Sequence, residues 1–427
     1  MFSNNFRFTA VTVFGTLLEW AEFCIYGYLA AKISSLFFPQ FDPQTGLLAT
    51  FGIFAVGYFA RPLGGVIFGH IGDTYGRKKA LTFSMAIMGV ATMAIGFLPT
   101  YAEIGIAAPI LLMFCRILQG LSVSGEFNGA AIFLIEHAQP GRKNLAGCWV
   151  GAAAASGMLI GALMVALISY DGLPIWVWRV PFLIGALSCS IGFYLRRNFT
   201  ETPEFISLQE KHQTPAKIPL LASFKYNKVA MLQTAAIAAF IGIYVYICNI
   251  YFATFLHRNA GFSVHSALMI AAFGQGCTAL LFPLMGKIAD AWDGRKLLLL
   301  GLLGAAIVAP LVFILGMMHS IVLALCAQFI YAIFDAMSGA PVFNYINGLF
   351  PTERRYTGIT VAWSLSVALF AGTAPMVAEY WVGTLQFIQG PALYVSLSAL
   401  IAFITLFVSS VRSTSARQVA LSVNNLP

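Results

Sequence analysis

Six ionisable side chains sit where this chain can least tolerate them. Glu19, Glu22, Arg61, Arg116, Glu126 and Asp335 each lie inside a long apolar run. A charge at the centre of a hydrocarbon layer costs at least about 2.5–3.5 kcal/mol on insertion scales, so such a residue needs a partner, water or a task. Glu19 and Glu22 are three residues apart, which places them on one face of a helix. Two neighbouring carboxylates in a low-dielectric medium resist being ionised together, so one of them can hold a proton. That is what a proton-coupling site requires; the structural alternative is a carboxylate held by an arginine.

Arg116 and Glu126 are ten residues apart, or roughly 15 Å along a helix axis, too far to pair with each other. Arg116 can grip a carboxylate in bidentate fashion, and Gln119 on the next turn offers hydrogen bonds. Glu126 can serve as a proton-linked counterweight or as a partner for Arg61; a fixed ion pair that locks the helices is the alternative. Arg61 precedes Pro62, which removes a backbone hydrogen bond and frees the carbonyl of Tyr58, so the helix can bend beside a buried cation. Asp335 is a second candidate for proton coupling or gating, against a plain hydrogen bond to Asn344 or another helix. Tyr244, Tyr246, Asn249 and Tyr251 cluster in one run. Aromatic faces can hold a quaternary ammonium, although tyrosines also gather at membrane interfaces. Tyr244 and Asn249 are taken from this group as substrate candidates.

The elements that must position these groups follow from composition. Of 427 residues, 59% are hydrophobic and 9% charged, against about 25% charged in soluble domains. Twelve apolar spans can be drawn, near 8–31, 47–69, 80–98, 104–133, 145–169, 176–195, 229–256, 266–289, 297–318, 320–350, 357–379 and 391–411. Most reach the ~20 residues of a spanning helix, and the alternation of a barrel strand is absent. The first run carries two carboxylates and reads as a retained helix rather than a cleaved signal. The expected fold is an all-α polytopic membrane protein of twelve transmembrane helices in two six-helix halves. The halves would be residues 1–195 and 229–411, joined by a cytoplasmic linker at 196–228 and followed by a short cytoplasmic tail at 412–427.

Basic residues fall in alternate loops: Arg77-Lys78-Lys79, Arg142-Lys143, Arg295-Lys296 and Arg354-Arg355, with more in the linker. The positive-inside rule then places both termini in the cytoplasm. It also explains the net charge of +8 without nucleic acid. The seven cysteines form no metal-type CxxC pair and read as packing residues. No metal site, cofactor site or catalytic triad is suggested, so the chain is not expected to be an enzyme.

One loop pattern occurs twice, half a chain apart. It runs Gly69-His-Ile-Gly-Asp73-Thr-Tyr-Gly76-Arg77-Lys78, then Gly286-Lys-Ile-Ala-Asp290-Ala-Trp-Asp-Gly294-Arg295-Lys296. The first glycine of each copy lets a helix end lie close to its neighbour. The aspartate and arginine can pair across the turn or with nearby helix ends. Each copy is expected to latch helices of its own half. The second has one more residue between aspartate and glycine, so its pairing should differ.

This pattern resembles the loop signature of the major facilitator superfamily, and further segments resemble its metabolite:proton symporter family. They are Gly15-Thr-Leu-Leu-Glu19-Trp20-Ala-Glu22-Phe23, Arg61-Pro62-Leu63-Gly64-Gly65, Arg116-Ile-Leu-Gln119-Gly120-Leu-Ser122-Val-Ser124-Gly125-Glu126, Glu201-Thr202-Pro203-Glu204-Phe205 and Phe350-Pro351-Thr352-Glu353-Arg354-Arg355-Tyr356-Thr357-Gly358. Thr16, Ala21 and Glu22 stand where the family pattern has Asn, Tyr and Asp. The Gly-Pro pair of drug/proton antiporters is missing from the fifth span. The resemblance implies a proton-coupled symporter of the cell inner membrane, working as a monomer by alternating access. Its substrate would be a small carboxylate-bearing metabolite, with a zwitterion such as proline or betaine favoured over a dicarboxylate or keto acid. Export or exchange of a metabolite, and a non-transporting sensor with a transporter fold, are the rival readings.

Overall fold

The computed structural model describes residues 2–423 apart from 76, 124–125, 137, 171, 198–226 and 351–354. Side chains are described over 13–408, outside 69–70, 72–78, 80–81, 124–126, 133, 136–137, 171, 192, 195–226 and 351–357. Helices cover each of the twelve apolar runs. They are α1 (Phe2–Tyr28), α2 (Pro43–Phe68), α3 (Arg77–Phe97), α4 (Ala107–Ile132), α5 (Lys143–Leu167) and α6 (Val180–Arg197). The second half follows with α7 (Lys228–Asn259), α8 (Val264–Ala291), α9 (Gly294–Gly316), α10 (Ile321–Leu349), α11 (Gly358–Thr384) and α12 (Gly390–Val408). Among the described residues nine of these helices are long and apolar enough to cross a membrane. The shorter apolar stretches Thr82–Phe97 and Ile175–Ile191 belong to α3 and to α6 with the 3-10 turn before it.

Where helix starts depart from the apolar runs, caps explain it. α2 begins at Pro43 because Asp42 accepts from the backbone N–H groups of Gln44 at 3.0 Å and Thr45 at 3.1 Å. Hydrogen bonds from Thr45, side chain before backbone, hold the exposed Asp42 carboxyl below its usual range. The cap is therefore present above that lowered range and is lost as the pH falls through it. α4 starts only at Ala107, because Gly105 at φ +60° ends a preceding short helix, Tyr101–Ile104.

Large side chains such as Leu280, Phe97 and Ile307 point outward, as lipid contact demands. In the first half α5 lies along α1, α3 along α6, and α2 along α4. In the second half α10 packs on α9 and α8, and α12 joins α9 to α7. The halves meet mainly where α5 runs against α8, with further contacts of α5 to α10, α2 to α11 and α1 to α7.

In lipid, helices gain little from hiding apolar surface and associate through close packing. The tightest instance is at Gly120 on α4, where an added Cβ would sit 1.8 Å from the carbonyl oxygen of Gly57 on α2. The neighbouring atom is backbone, so it cannot rotate away. Gly120→Ala should force α2 and α4 apart at a cost of about 1–3 kcal/mol. The expected readout is a lower midpoint of thermal unfolding for the detergent-purified variant. Alanine at Gly348, where an added Cβ meets nothing, should leave that midpoint unchanged.

Candidate functional site

A cavity of about 90 Å³ lies between the two halves. α1, α2, α4 and α5 wall it on one side, and α7, α8, α10 and α11 on the other. Among the described residues two charged side chains line it, Arg61 from the first half and Asp335 from the second. Local backbone irregularities sit beside them. α2 is interrupted at Ala60, immediately before Arg61-Pro62, as the proline predicts. π-helical turns at Tyr246–Tyr251 and Val367–Ala371 bring Tyr246, Val367 and Ala371 to the wall. Such turns rotate the register of a helix and gather at functional sites.

Arg61 is 7% exposed, and its guanidinium lies 3.9 Å from the ring centre of Tyr58 and 4.6 Å from that of Phe23. No carboxylate pairs with it among the described residues, and its Nε has no hydrogen-bond partner there. The same is true of the indole N–H of Trp20 and the side-chain oxygen of Asn128, which also line the cavity. A buried polar group left unsatisfied costs about 1–3 kcal/mol. Several such groups around one cavity are what a polar ligand would satisfy.

Arg116 is fully buried and does not line the cavity. Its guanidinium lies 4.4 Å from the Phe23 ring centre and 4.5 Å from that of Tyr26. It donates to the Gln119 side chain at 2.7 Å, and Gln119 donates to the Thr92 hydroxyl at 2.9 Å. Thr92 donates to Glu22 at 3.2 Å, and the Cys189 thiol lies 3.1 Å from both oxygens of that carboxylate. A hydrogen-bonded relay thus joins the fully buried Arg116 to Glu22. Glu19 faces a small cavity of about 20 Å³ among α1, α3, α4 and α6. Both span-1 carboxylates share a helix face, as their spacing implies, but the face turns into the first half and away from the central cavity. Gln119 belongs to the same interior network. The side chain of Glu126 lies outside the described residues.

In the second half, Asp335 accepts from the Tyr331 hydroxyl at 3.0 Å, and Gln275 donates to that hydroxyl at 3.3 Å. Asn344, the bland partner expected for Asp335, instead donates to Asn144 on α5 at 3.0 Å. The two substrate candidates on α7 are displaced from the cavity. Tyr244 donates to the backbone oxygen of Tyr331 at 3.2 Å. Asn249 accepts from Tyr28 at 2.5 Å and donates to Ala271 at 3.0 Å. Both are buried in helix packing, and Tyr246, two residues from Tyr244, occupies the wall, its hydroxyl bonded to that of Tyr58 across the halves.

Each end of the interface carries its own contacts. At the basic-loop end Asp290 accepts from the backbone N–H groups of Asn144 and Leu145, both at 2.9 Å. A carboxylate on the first turn of α5 satisfies orphan donors and complements the helix dipole. Asp290 therefore reaches across the halves, a contact that the expectation of a latch within each half did not include. An added Cβ on Gly286 would lie 2.6 Å from the Cys148 sulfur, and on Gly294 3.0 Å from the Asn144 side chain, so both glycines permit this approach. The additional residue of this copy has a local role: Asp293 caps α9, accepting from Arg295 N–H at 2.9 Å and Lys296 N–H at 3.3 Å. Arg295 donates to the Leu406 carbonyl at 3.0 Å rather than pairing with Asp290. In the first copy, Gly76, the side chains of Asp73, Arg77 and Lys78, and the surroundings of Gly69 lie outside the described residues.

At the opposite end Glu379 on α11 pairs with Arg258 on α7, and Arg258 donates to Gln44 on α2 at 3.0 Å. Sequence reasoning missed Glu379, which is 2% exposed. The sign was present, a carboxylate within the apolar stretch Ala374–Val382, but it lies close to a span end.

The described geometry is that of a two-half transporter, and comparison with known proteins agrees. A family model described as Major Facilitator Superfamily matches residues 25–375. A proline/betaine transporter of Salmonella typhimurium strain LT2 is 33% identical over 406 residues, covering 92% of this chain and 80% of that protein. A glycine betaine/proline/ectoine/pipecolic acid transporter of Dickeya dadantii is 33% identical over 407 residues, with the same coverage. Among solved structures, a D-xylose-proton symporter superposes with a TM-score of 0.73 at 18% identity, over 94% of this chain and 97% of that one. A partially occluded inward-open xylose transporter from Escherichia coli gives 0.71 at 16% identity, over 93% and 96%. At these identities the solved structures establish the fold alone, whereas the curated relatives and the family model establish kinship: the chain belongs to the major facilitator superfamily and, within it, to the metabolite:proton symporter family.

Proposed function

We propose that this membrane transporter carries a small zwitterionic, carboxylate-bearing metabolite of the proline/betaine kind, together with protons, by alternating access. The observation that carries the reading is Arg61, a buried guanidinium without a carboxylate partner among the described residues, set in the wall of a cavity between the halves. An arginine in such a place is a receptor for a carboxylate. The relatives' names supply the substrate class, and the relay ending at Glu22 supplies a proton site. The basic loops support an inner-membrane orientation with both termini in the cytoplasm. Residues 1–195 and 229–411 form the rocking units, with the 196–228 linker between them, and one chain suffices for the cycle.

The test is twofold. Proline and glycine betaine should raise the thermal unfolding temperature of the purified protein, since a ligand of the native state stabilises it. Proteoliposomes with an inward proton gradient should then accumulate the same compounds above equilibrium. Binding without accumulation would favour the sensor reading, and efflux of loaded substrate driven by proton entry would favour an exporter.

A further inference from the structure

The geometry points to Asp335 as the group that reads the cationic end of the substrate, so that the cavity is a bipolar clamp that prefers zwitterions to plain carboxylates. The inference rests on the transport reading above and assigns Asp335 a binding role rather than a proton-carrying one.

Three observations carry it. Arg61 and Asp335 line the same cavity from opposite halves, yet they do not form an ion pair with each other. Asp335 is 4% exposed, and among the described residues no lysine, arginine or histidine pairs with it; its hydrogen-bond donor is the neutral hydroxyl of Tyr331. Leaving a buried charge uncompensated is strongly destabilising. Two opposite charges facing one space across an interface are compensated together by a single ligand that carries both signs.

The surroundings of Asp335 suit a bulky cation. Gly339 lies one helical turn further along α10, on the same face. An added Cβ there would come within 2.7 Å of the Phe282 ring, so the glycine leaves that ring room against α10 beside the aspartate. Phe282, Trp363 and Tyr246 all line the cavity. A carboxylate beside aromatic faces accepts both a secondary ammonium, by hydrogen bond, and a quaternary ammonium, by charge and cation–π attraction. The second class offers no N–H donor, so the rings are needed for it. A ligand held by Arg61 at one end and Asp335 at the other also ties the halves together, which couples binding to their rocking.

Isothermal titration of the purified full chain against three probes tests this: proline, glycine betaine and cyclopentanecarboxylate, a proline analogue without nitrogen. The wild type should bind the first two at least ~10-fold more tightly than the third. Asp335→Asn should bring the zwitterions down to the level of cyclopentanecarboxylate while leaving the affinity for that probe unchanged. Asp335→Glu should restore part of the difference. Unchanged proline affinity in Asp335→Asn would overturn the assignment. So would an equal loss of all three ligands in a variant that still melts at the wild-type temperature, since the aspartate would then not discriminate the cationic end. Wild-type protein that binds none of the three would instead sink the transport reading itself.

Discussion

Arg61→Gln should abolish measurable substrate binding while the protein still folds. Among the described residues the guanidinium is the cation that lines the cavity from the first half, and in our reading it holds the substrate carboxylate. Removing one partner of a buried, hydrogen-bonded charge pair costs about 2–5 kcal/mol, or roughly 30- to several thousand-fold in affinity. Glutamine keeps much of the volume and one donor group but loses the charge and the planar fork. Arg61→Lys keeps the charge without the fork and should recover only part of the binding. The contrasting variant is Arg116→Gln. Arg116 does not line the cavity and is committed to Gln119 and the Phe23 and Tyr26 rings, so its loss should lower thermal stability more than intrinsic ligand affinity. Titration calorimetry beside a thermal melt separates the two effects. Wild-type affinity in Arg61→Gln would remove the carboxylate receptor from the proposed mechanism.

The difference between these two arginines shows what the sequence could and could not convey. Both were legible as charges inside apolar runs, and so were Glu19, Glu22 and Asp335. The expense of a buried charge makes such residues rare, so rarity alone marks them. Which of them meets the cavity was not legible. A soluble helix advertises its inner face by the contrast of apolar and polar sides, whereas a membrane helix is apolar towards lipid and towards its neighbours alike. The choice on α7 suffered for this reason. Tyr244 and Tyr246 look alike in the sequence, yet two residues of helix turn them to different faces, and of the two only Tyr246 lines the cavity. The loops were more readable, because glycine spacing and capping residues act locally. Even there, the partner of Asp290 was an N-terminus in the other half, a long-range pairing that no local pattern encodes.

Glu22→Gln should separate transport from its driving force. Among the described residues the carboxylate is held by a threonine hydroxyl and a cysteine thiol, with no cation paired to it. An ionised carboxylate buried in that way is costly, so taking up a proton is the natural means of compensation. The proton's effect has a physical route to the substrate. Glu22 is joined through Thr92 and Gln119 to Arg116. Arg116 in turn lies against Phe23, whose ring Arg61 also approaches. In a symporter, proton and substrate must each strengthen the binding of the other, and linkage makes that coupling reciprocal. The wild type should therefore bind its substrate more tightly as the pH falls. Glutamine imitates the protonated carboxyl and still accepts from Thr92, so the variant should bind substrate and exchange it across the membrane within a few-fold of the wild type. Its affinity should be flat across the pH range in which the wild type responds, and uphill accumulation under a proton gradient should disappear. Both readings come from one preparation, counterflow and gradient-driven uptake in the same proteoliposomes. Full gradient-driven accumulation by Glu22→Gln would move the proton to another carboxylate and leave the relay a structural device of the first half.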